Sequence, residues 1–204
     1  MLTEWNQHVI ECFPNEACGV IVNGEVRIFP NVHPDPLNHF EIDDLNWFEC
    51  LRDDPKAIVI HSHTHGTALY DPRTPSYRDM ELWLKTGNSI GICFTDGSKV
   101  SEMLWMHHRN DKPLEGREFI HGYQDCYSII RDYYQQTLDI DLMNIARSFE
   151  WWEHNQNLYL ENYERAGFRQ VPLNDLKIHD VLLFKVRAKV PNHAGVVIGT
   201  NRFI

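Results

Sequence analysis

Ala57-Ile58-Val59-Ile60-His61-Ser62-His63-Thr64-His65, followed by Ser76-Tyr77-Arg78-Asp79, is an apolar run that delivers histidines at alternate positions shortly before an acidic residue. In an extended chain alternate side chains share a face, so His61 and His63 point the same way. Two neutral imidazoles and a carboxylate are the three-ligand set of a catalytic zinc site, with the fourth position open to water or substrate. The same residues also read without chemistry, as a histidine-rich loop leading into a helix whose start is a capping box, Ser76-x-x-Asp79. The residues alone leave both readings open.

At 204 residues the chain is long enough for one large or two small domains with real cores. Hydrophobic residues at 43% and aromatics at 12% predict a folded protein rather than a disordered one. No run reaches the roughly 18 apolar residues of a membrane helix, so no membrane span is expected. Met1-Leu-Thr-Glu-Trp lacks the basic and apolar regions of a signal peptide, which points to folding in the cytoplasm. Five scattered cysteines without a CxxC pair argue against a disulfide framework. Residues 1–108 hold 16 acidic and 7 basic side chains, and 109–204 hold 13 and 12, so neither half resembles a nucleic-acid binder.

The pattern predicts a helix over Leu2 to Phe13, with Trp5, Val9, Ile10 and Phe13 on one face and Pro14 ending it. Asn23-Gly24 between two β-rich runs predicts a hairpin. A short helix over 43–53 carries Trp47, Phe48 and Leu51. A buried strand over 57–63 ends in the histidines, Ser76 caps a helix reaching Leu84, and strands follow at 89–94 and from Val100 to Met106. This is an α+β arrangement. A polar stretch without periodicity, 108–118, reads as a linker. Beyond it, a helix opens at Asp125-Cys126 and runs to about Leu138, residues 145–166 look mostly helical, and strands close the chain at 180–187 and 193–198. The domains expected are therefore 1–107 and 119–204.

Cys126 stands where a helix begins, a place that favours thiolate and suits a nucleophile. His193 opens a strand from which it could face the thiol as general base. The alternative is a buried structural cysteine. Cys12, Cys18, Cys50 and Cys93 lie in apolar or helical contexts and read as core.

Glu16-Ala-Cys-Gly-Val, His61-Ser-His63 and Ser76-x-x-Asp79 together resemble the JAMM (MPN-type) metallopeptidases, and the second half resembles the NlpC-type cysteine peptidases, papain-like α+β domains. This order of domains, with Tyr123-Gln-Asp-Cys126 and Trp151-Trp-Glu153, resembles the tail tip assembly protein K family of lambda-like siphophages. The resemblance implies that His61, His63 and Asp79 ligate Zn²⁺, that Glu16 is the general base on the attacking water, and that Ser76 stabilises the oxyanion. It implies a second site with Cys126 as nucleophile, His193 as base and Tyr123 as an orienting or oxyanion residue. It also implies tail tip proteins as partners, a peptidoglycan peptide or a tail protein as substrate, and work in the host cytoplasm during assembly or in the virion tail tip.

Three departures from the pattern stand out. Thr64 replaces the usual Pro, and twelve residues separate His63 from Ser76 where the pattern places about seven. A loop over Ala68 to Thr74 would absorb the excess, with His65 or Asp71 as alternative ligands. In NlpC-type domains a polar residue that orients the histidine follows it by about a dozen positions, and here the sequence stops at Ile204, which predicts an incomplete site or a shortened chain. His107-His108 reads as solvated, His33 and His39 as loop residues beside the first site, His179-Asp180 as a turn, and Trp151, Trp152 and Tyr159 to Tyr163 as core or an interface. Two further classes compete with a two-site hydrolase: an assembly protein with vestigial sites, and an isopeptidase, which the attached NlpC-like half disfavours.

Overall fold

The computed structural model describes residues 2–66, 71–108, 113–154 and 156–204. The chain divides into two compact units, Met1–Pro75 with Glu81–His108, and Ser76–Met80 with Arg109–Ile204. Residues 68–70 of the loop expected over Ala68 to Thr74 and residues 109–112 of the expected linker lie outside the described residues. Among the described residues no helix is long and apolar enough to cross a membrane.

The first stretch runs α1 (Leu2–Cys12), β1 (Cys18–Val22), β2 (Glu25–Phe29), α2 (Leu45–Asp53), β3 (Ile58–His63), α3 (Tyr77–Thr86), β4 (Ser89–Phe94) and β5 (Leu104–Met106). Its strands form one sheet in the order β2-β1-β3-β4-β5. All neighbours are antiparallel except β3 and β4. A parallel pair needs a crossover, and α3 lies in it. Asn23 and Gly24 both have positive φ, 53° and 81°, the geometry a two-residue hairpin turn requires.

One face of the sheet packs Ala17, Ile21, Ile60 and Cys93 against Trp5 and Val9 of α1. Gly19 permits this approach: a Cβ there would stand 2.7 Å from the Arg27 carbonyl oxygen and 3.3 Å from the Trp5 ring. Because Ile60 faces α1, strand alternation sends His61 and His63 to the opposite face. Ile10 and Phe13, expected on the apolar face of α1, are exposed, as is Phe48 of α2, whose buried residues are Trp47 and Cys50. The strand expected from Val100 begins only at Leu104. Ser101 Oγ accepts the Phe94 N–H, so a side chain takes the place of a ladder bond there.

The second stretch holds α4 (Cys126–Leu138), α5 (Leu158–Asn162), β6 (Val181–Phe184), β7 (His193–Gly199) and β8 (Arg202–Phe203). The strands form an antiparallel sheet, β6-β7-β8, and α4 packs on β7. Tyr127, Ile130, Tyr133, Leu142, Ala194 and Val196 make the core. Residues 145–166 are not mostly helical as their pattern predicts; among the described residues they hold a 3-10 turn at Trp151–Glu153 and α5. Side chains of α4 capture the preceding backbone: Tyr127 donates to the Met143 carbonyl and Arg131 to that of Leu142. Glu150 then turns through a left-handed conformation, φ 51°. Carbonyls satisfied from outside have less need of a helix.

Candidate functional site

Two clusters of chemistry-bearing side chains emerge, one at the end of β3 and one at the start of α4. In the first, His61 is fully buried and its ring stacks on Phe40, with centroids 4.6 Å apart. The His61 and His63 Nε2 atoms lie 3.2 Å apart. His63 Nδ1 stands 2.9 Å from the Pro72 carbonyl oxygen. A carbonyl only accepts, so Nδ1 carries the proton and Nε2 presents a lone pair.

Asp79 sits in the first turn of α3, where the Ser76 N–H donates to Asp79 Oδ2 at 2.7 Å and the Asp79 N–H donates to Ser76 Oγ at 3.2 Å. This is a capping box, and it also orients the carboxylate. One ligand atom each from His61, His63 and Asp79 can be chosen so that all lie within 4.8 Å of one another. The donor set fits zinc: two nitrogens each about 2.0–2.1 Å from a tetrahedral ion stand roughly 3.3 Å apart, close to the Nε2 separation found here. The capping and metal readings, alternatives in the sequence, are compatible in space.

Glu16 is buried just before β1. Continuing the β1–β3 register, in which Cys18 pairs with His61, brings Glu16 opposite His63, and opposed residues share a face. The Ala17 N–H donates to Ser62 Oγ and the Ser62 N–H to the Ala17 carbonyl, which pins this segment to β3. Of the alternative ligands, Asp71 is gripped by Arg73 through Nε and Nη2, at 2.9 and 2.6 Å, and that pairing, ahead of any other cause, holds its carboxyl below the ordinary range. His65 is exposed beside Thr64. Neither joins the cluster of possible ligands. His107 bonds Ser89, His108 stacks on Trp83, and His33 meets His39 edge to face.

The second cluster rests on a buried ion pair. Asp125 caps α4, accepting from the Ser128 N–H and Oγ at 3.0 Å each and from the Gly122 N–H at 2.8 Å. Arg147 closes on it with two bonds, Nε to Oδ2 at 2.7 Å and Nη2 to Oδ1 at 2.8 Å. Burial alone would raise the Asp125 carboxyl, but Arg147 overrides it and holds the group well below the ordinary carboxylate range.

Cys126 follows at the first position of α4. Its Sγ lies 3.3 Å from the Tyr159 hydroxyl, and the backbone N–H of Ala194, the residue next to His193, favours the thiolate. Cys126, His193, His121 and Tyr159 line one cavity of about 440 Å³. The helix start was expected to favour thiolate; instead burial, then the Asp125 carboxylate, pushes the Cys126 thiol above its usual range, with the Tyr159 bond pulling the other way. Tyr123, the expected orienting residue, is buried and is not among the residues lining that cavity. Tyr159 stands at the sulfur instead. It sits among the aromatics read as core or interface, and no spacing rule links it to Cys126. Arg147 carried no signal either, since its partner lies 22 residues away. Of the remaining cysteines, Cys18, Cys50 and Cys93 are buried as core and Cys12 is half-buried; burial pushes Cys18 up to about 12 and Cys93 up to about 11.

A model of the NlpC/P60 family matches residues 116–204. Over 162 residues, 78% of this chain and 73% of the relative, the sequence is 31% identical to the tail tip assembly protein K of Escherichia phage lambda. The chain belongs to the tail tip assembly protein K family. The protein of the same name from Escherichia phage N15 is 25% identical over 203 residues, which cover 97% of this chain and 80% of that one. No solved structure matches the chain. This family member is thus a mixed α+β protein with a papain-like NlpC/P60 domain, and Cys126, Tyr159 and His193 all fall inside the matched segment.

Proposed function

We propose that the chain is a hydrolase of phage tail tip assembly that cleaves amide bonds of peptides with Cys126, and that tail proteins are its partners. The observation that carries this reading is that the Cys126 thiol, with the Tyr159 hydroxyl 3.3 Å from its sulfur, shares one cavity with His193, all within the NlpC/P60 segment. His193 takes the thiol proton as Sγ bonds to the carbonyl carbon; the C–N bond then breaks, and the proton passes to the leaving amine. Water hydrolyses the thioester and restores the thiol. A mostly protonated Cys126 requires this base at the moment of attack rather than a preformed ion pair. The Tyr159 hydroxyl is hydrogen-bonded to the sulfur in the resting enzyme and donates to the developing oxyanion beside it.

A second centre in the first stretch is favoured by the cluster of His61, His63 and Asp79. In this reading the three side chains hold Zn²⁺ in a JAMM-type domain over 1–107, joined by a linker to the domain at 119–204. Zinc, when bound, supplies a Lewis acid that polarises a carbonyl and acidifies water. Glu16 accepts the proton of the attacking water and passes it to the leaving amine, and the Ser76 hydroxyl steadies the oxyanion.

The test is cleavage of purified cell-wall sacculi and of tail tip proteins by the wild type and by Cys126→Ala and Glu16→Gln chains. New amino termini that vanish with Cys126→Ala support the cysteine reading. Release unchanged in that variant overturns the cysteine reading, and its loss in Glu16→Gln instead assigns the cleavage to the first centre.

A further inference from the structure

We infer that the open edge of β6 docks an extended, apolar segment of another polypeptide, flanked by acidic residues, which adds to the sheet as a further strand. Beside this edge lies a second cavity, of about 380 Å³, which shares the walls Tyr127, Ile145, Leu158 and Tyr159 with the Cys126 cavity. The inference goes beyond the thiol chemistry and holds whether or not Cys126 cleaves.

The backbone of β6 lacks a neighbour on one side. The strand stands at the end of the sheet order, next to β7. The Val197 N–H donates to the Asp180 carbonyl and the Asn192 N–H to that of Phe184, so residues 180, 182 and 184 address β7. Val181 and Leu183 therefore turn their N–H and C=O groups to the open edge, where they meet no partner among the described residues. Val-Leu-Leu-Phe carries none of the charges or prolines that commonly blunt such an edge. An extended peptide backbone satisfies these groups, which a hydrocarbon ligand leaves bare.

The cavity supplies room for the side chains of the added strand. Val181, Leu182 and Leu183 line it together with Ile130 and Phe168. Leu160, Val171 and Leu173 carry the apolar wall outward, and Leu173 is 75% exposed. Exposed apolar surface beside an open edge is a surface that a partner covers. Charge selects the partner. Residues 165–189 hold six basic side chains, Arg165, Arg169, Lys177, Lys185, Arg187 and Lys189, against two acidic ones, Asp175 and Asp180, in a chain whose net charge is −10. All six are exposed, and among the described residues none makes a salt bridge. Asp180, the acidic residue on the cavity lining, is turned to the Lys177 backbone N–H at 2.7 Å. Lys177 precedes β6 and Lys185 follows it, so carboxylates at the ends of an added strand meet cations.

The test titrates the full chain with fluorescein-labelled Asp-Glu-Val-Thr-Val-Thr-Val-Glu-Asp, followed by anisotropy, with amide exchange over residues 181–184 read in parallel. Two control peptides carry lysines in place of the four acidic residues, or N-methyl groups on two adjacent central residues, which block both edges of the peptide strand. The acidic peptide should bind at least about tenfold tighter than the lysine peptide and slow exchange over 181–184. N-methylation should weaken it by about tenfold or more. Lys185→Glu with Arg187→Glu, both on exposed positions, should narrow the preference for acidic flanks by about threefold or more, and Leu173→Asp should weaken the acidic peptide without altering the fold. Equal binding of the N-methylated or the lysine peptide overturns the inference, as does absence of binding below about 1 mM. A chain that self-associates with residues 181–184 already protected makes a second copy the occupant and overturns it too.

Discussion

The Tyr159 hydroxyl lies 3.3 Å from Cys126 Sγ, although 33 residues separate them in the chain. The tyrosine reaches the sulfur because residues 139–150 fold back along α4 instead of forming a helix, and α5 then sets it over the start of α4. A hydrogen bond to sulfur favours thiolate, against the burial and the Asp125 charge that disfavour it.

Tyr159→Phe therefore should move the pH profile of Cys126 alkylation to higher pH, slowing labelling several-fold near neutrality while costing about 1 kcal/mol or less in stability. Rates measured from pH 6 to 10 check this. A profile that does not move shows that the hydroxyl has no hold on the sulfur.

The Asp125–Arg147 pair is buried on both sides, so breaking it leaves a charge without its counter-ion. Arg147→Met is expected to destabilise the second unit by about 3–5 kcal/mol in urea unfolding. Asp125→Asn and Arg147→Met together should cost less than the sum of the two alone, because the double variant strands no charge.

Acid should weaken the second unit in two stages. His121, held below its usual range first by burial and only partly restored by Asp125, stays neutral in the fold, whereas the unfolded chain protonates it below about pH 6.5. Stability then falls as the pH drops through that region. Asp125, depressed by Arg147 against the effect of burial, contributes fully above about pH 4 and loses that contribution as the pH falls toward its folded value. Urea midpoints against pH should show both stages, and His121→Gln should remove the upper one.

The first centre makes its own forecast. The protein is expected to carry about one zinc per chain, lost in His63→Ala and kept in His65→Ala, Asp71→Ala and Glu16→Gln. Metal analysis of the purified variants decides it. Loss in Asp71→Ala with retention in His63→Ala would place the ligands elsewhere.

Much of this architecture was legible because local rules and tertiary packing agree. Asn23-Gly24 dictates its hairpin, Asp125 caps its helix, and alternation along β3 sends both histidines to one side. The rest was hidden where long-range bonds overrule the local pattern. Residues 145–166 have helical periodicity, yet Tyr127, Arg131 and Arg147 spend their donors on the carbonyls leading into that stretch. Ile10 and Phe13 fit the face of α1 by spacing but overshoot the narrow stripe that the sheet covers. Cys126 was visible from its helix start, whereas Tyr159 was not, because the contact depends on how an irregular segment returns.

The most direct test of the account is acylation of the full chain by an activated ester, followed as a burst and mapped by mass spectrometry. One acyl group per chain on Cys126, turning over with water, absent in Cys126→Ala and formed at least about a hundredfold more slowly in His193→Ala, is the predicted result. An adduct carried by another cysteine, or formed on Cys126 at the same rate without His193, would contradict it.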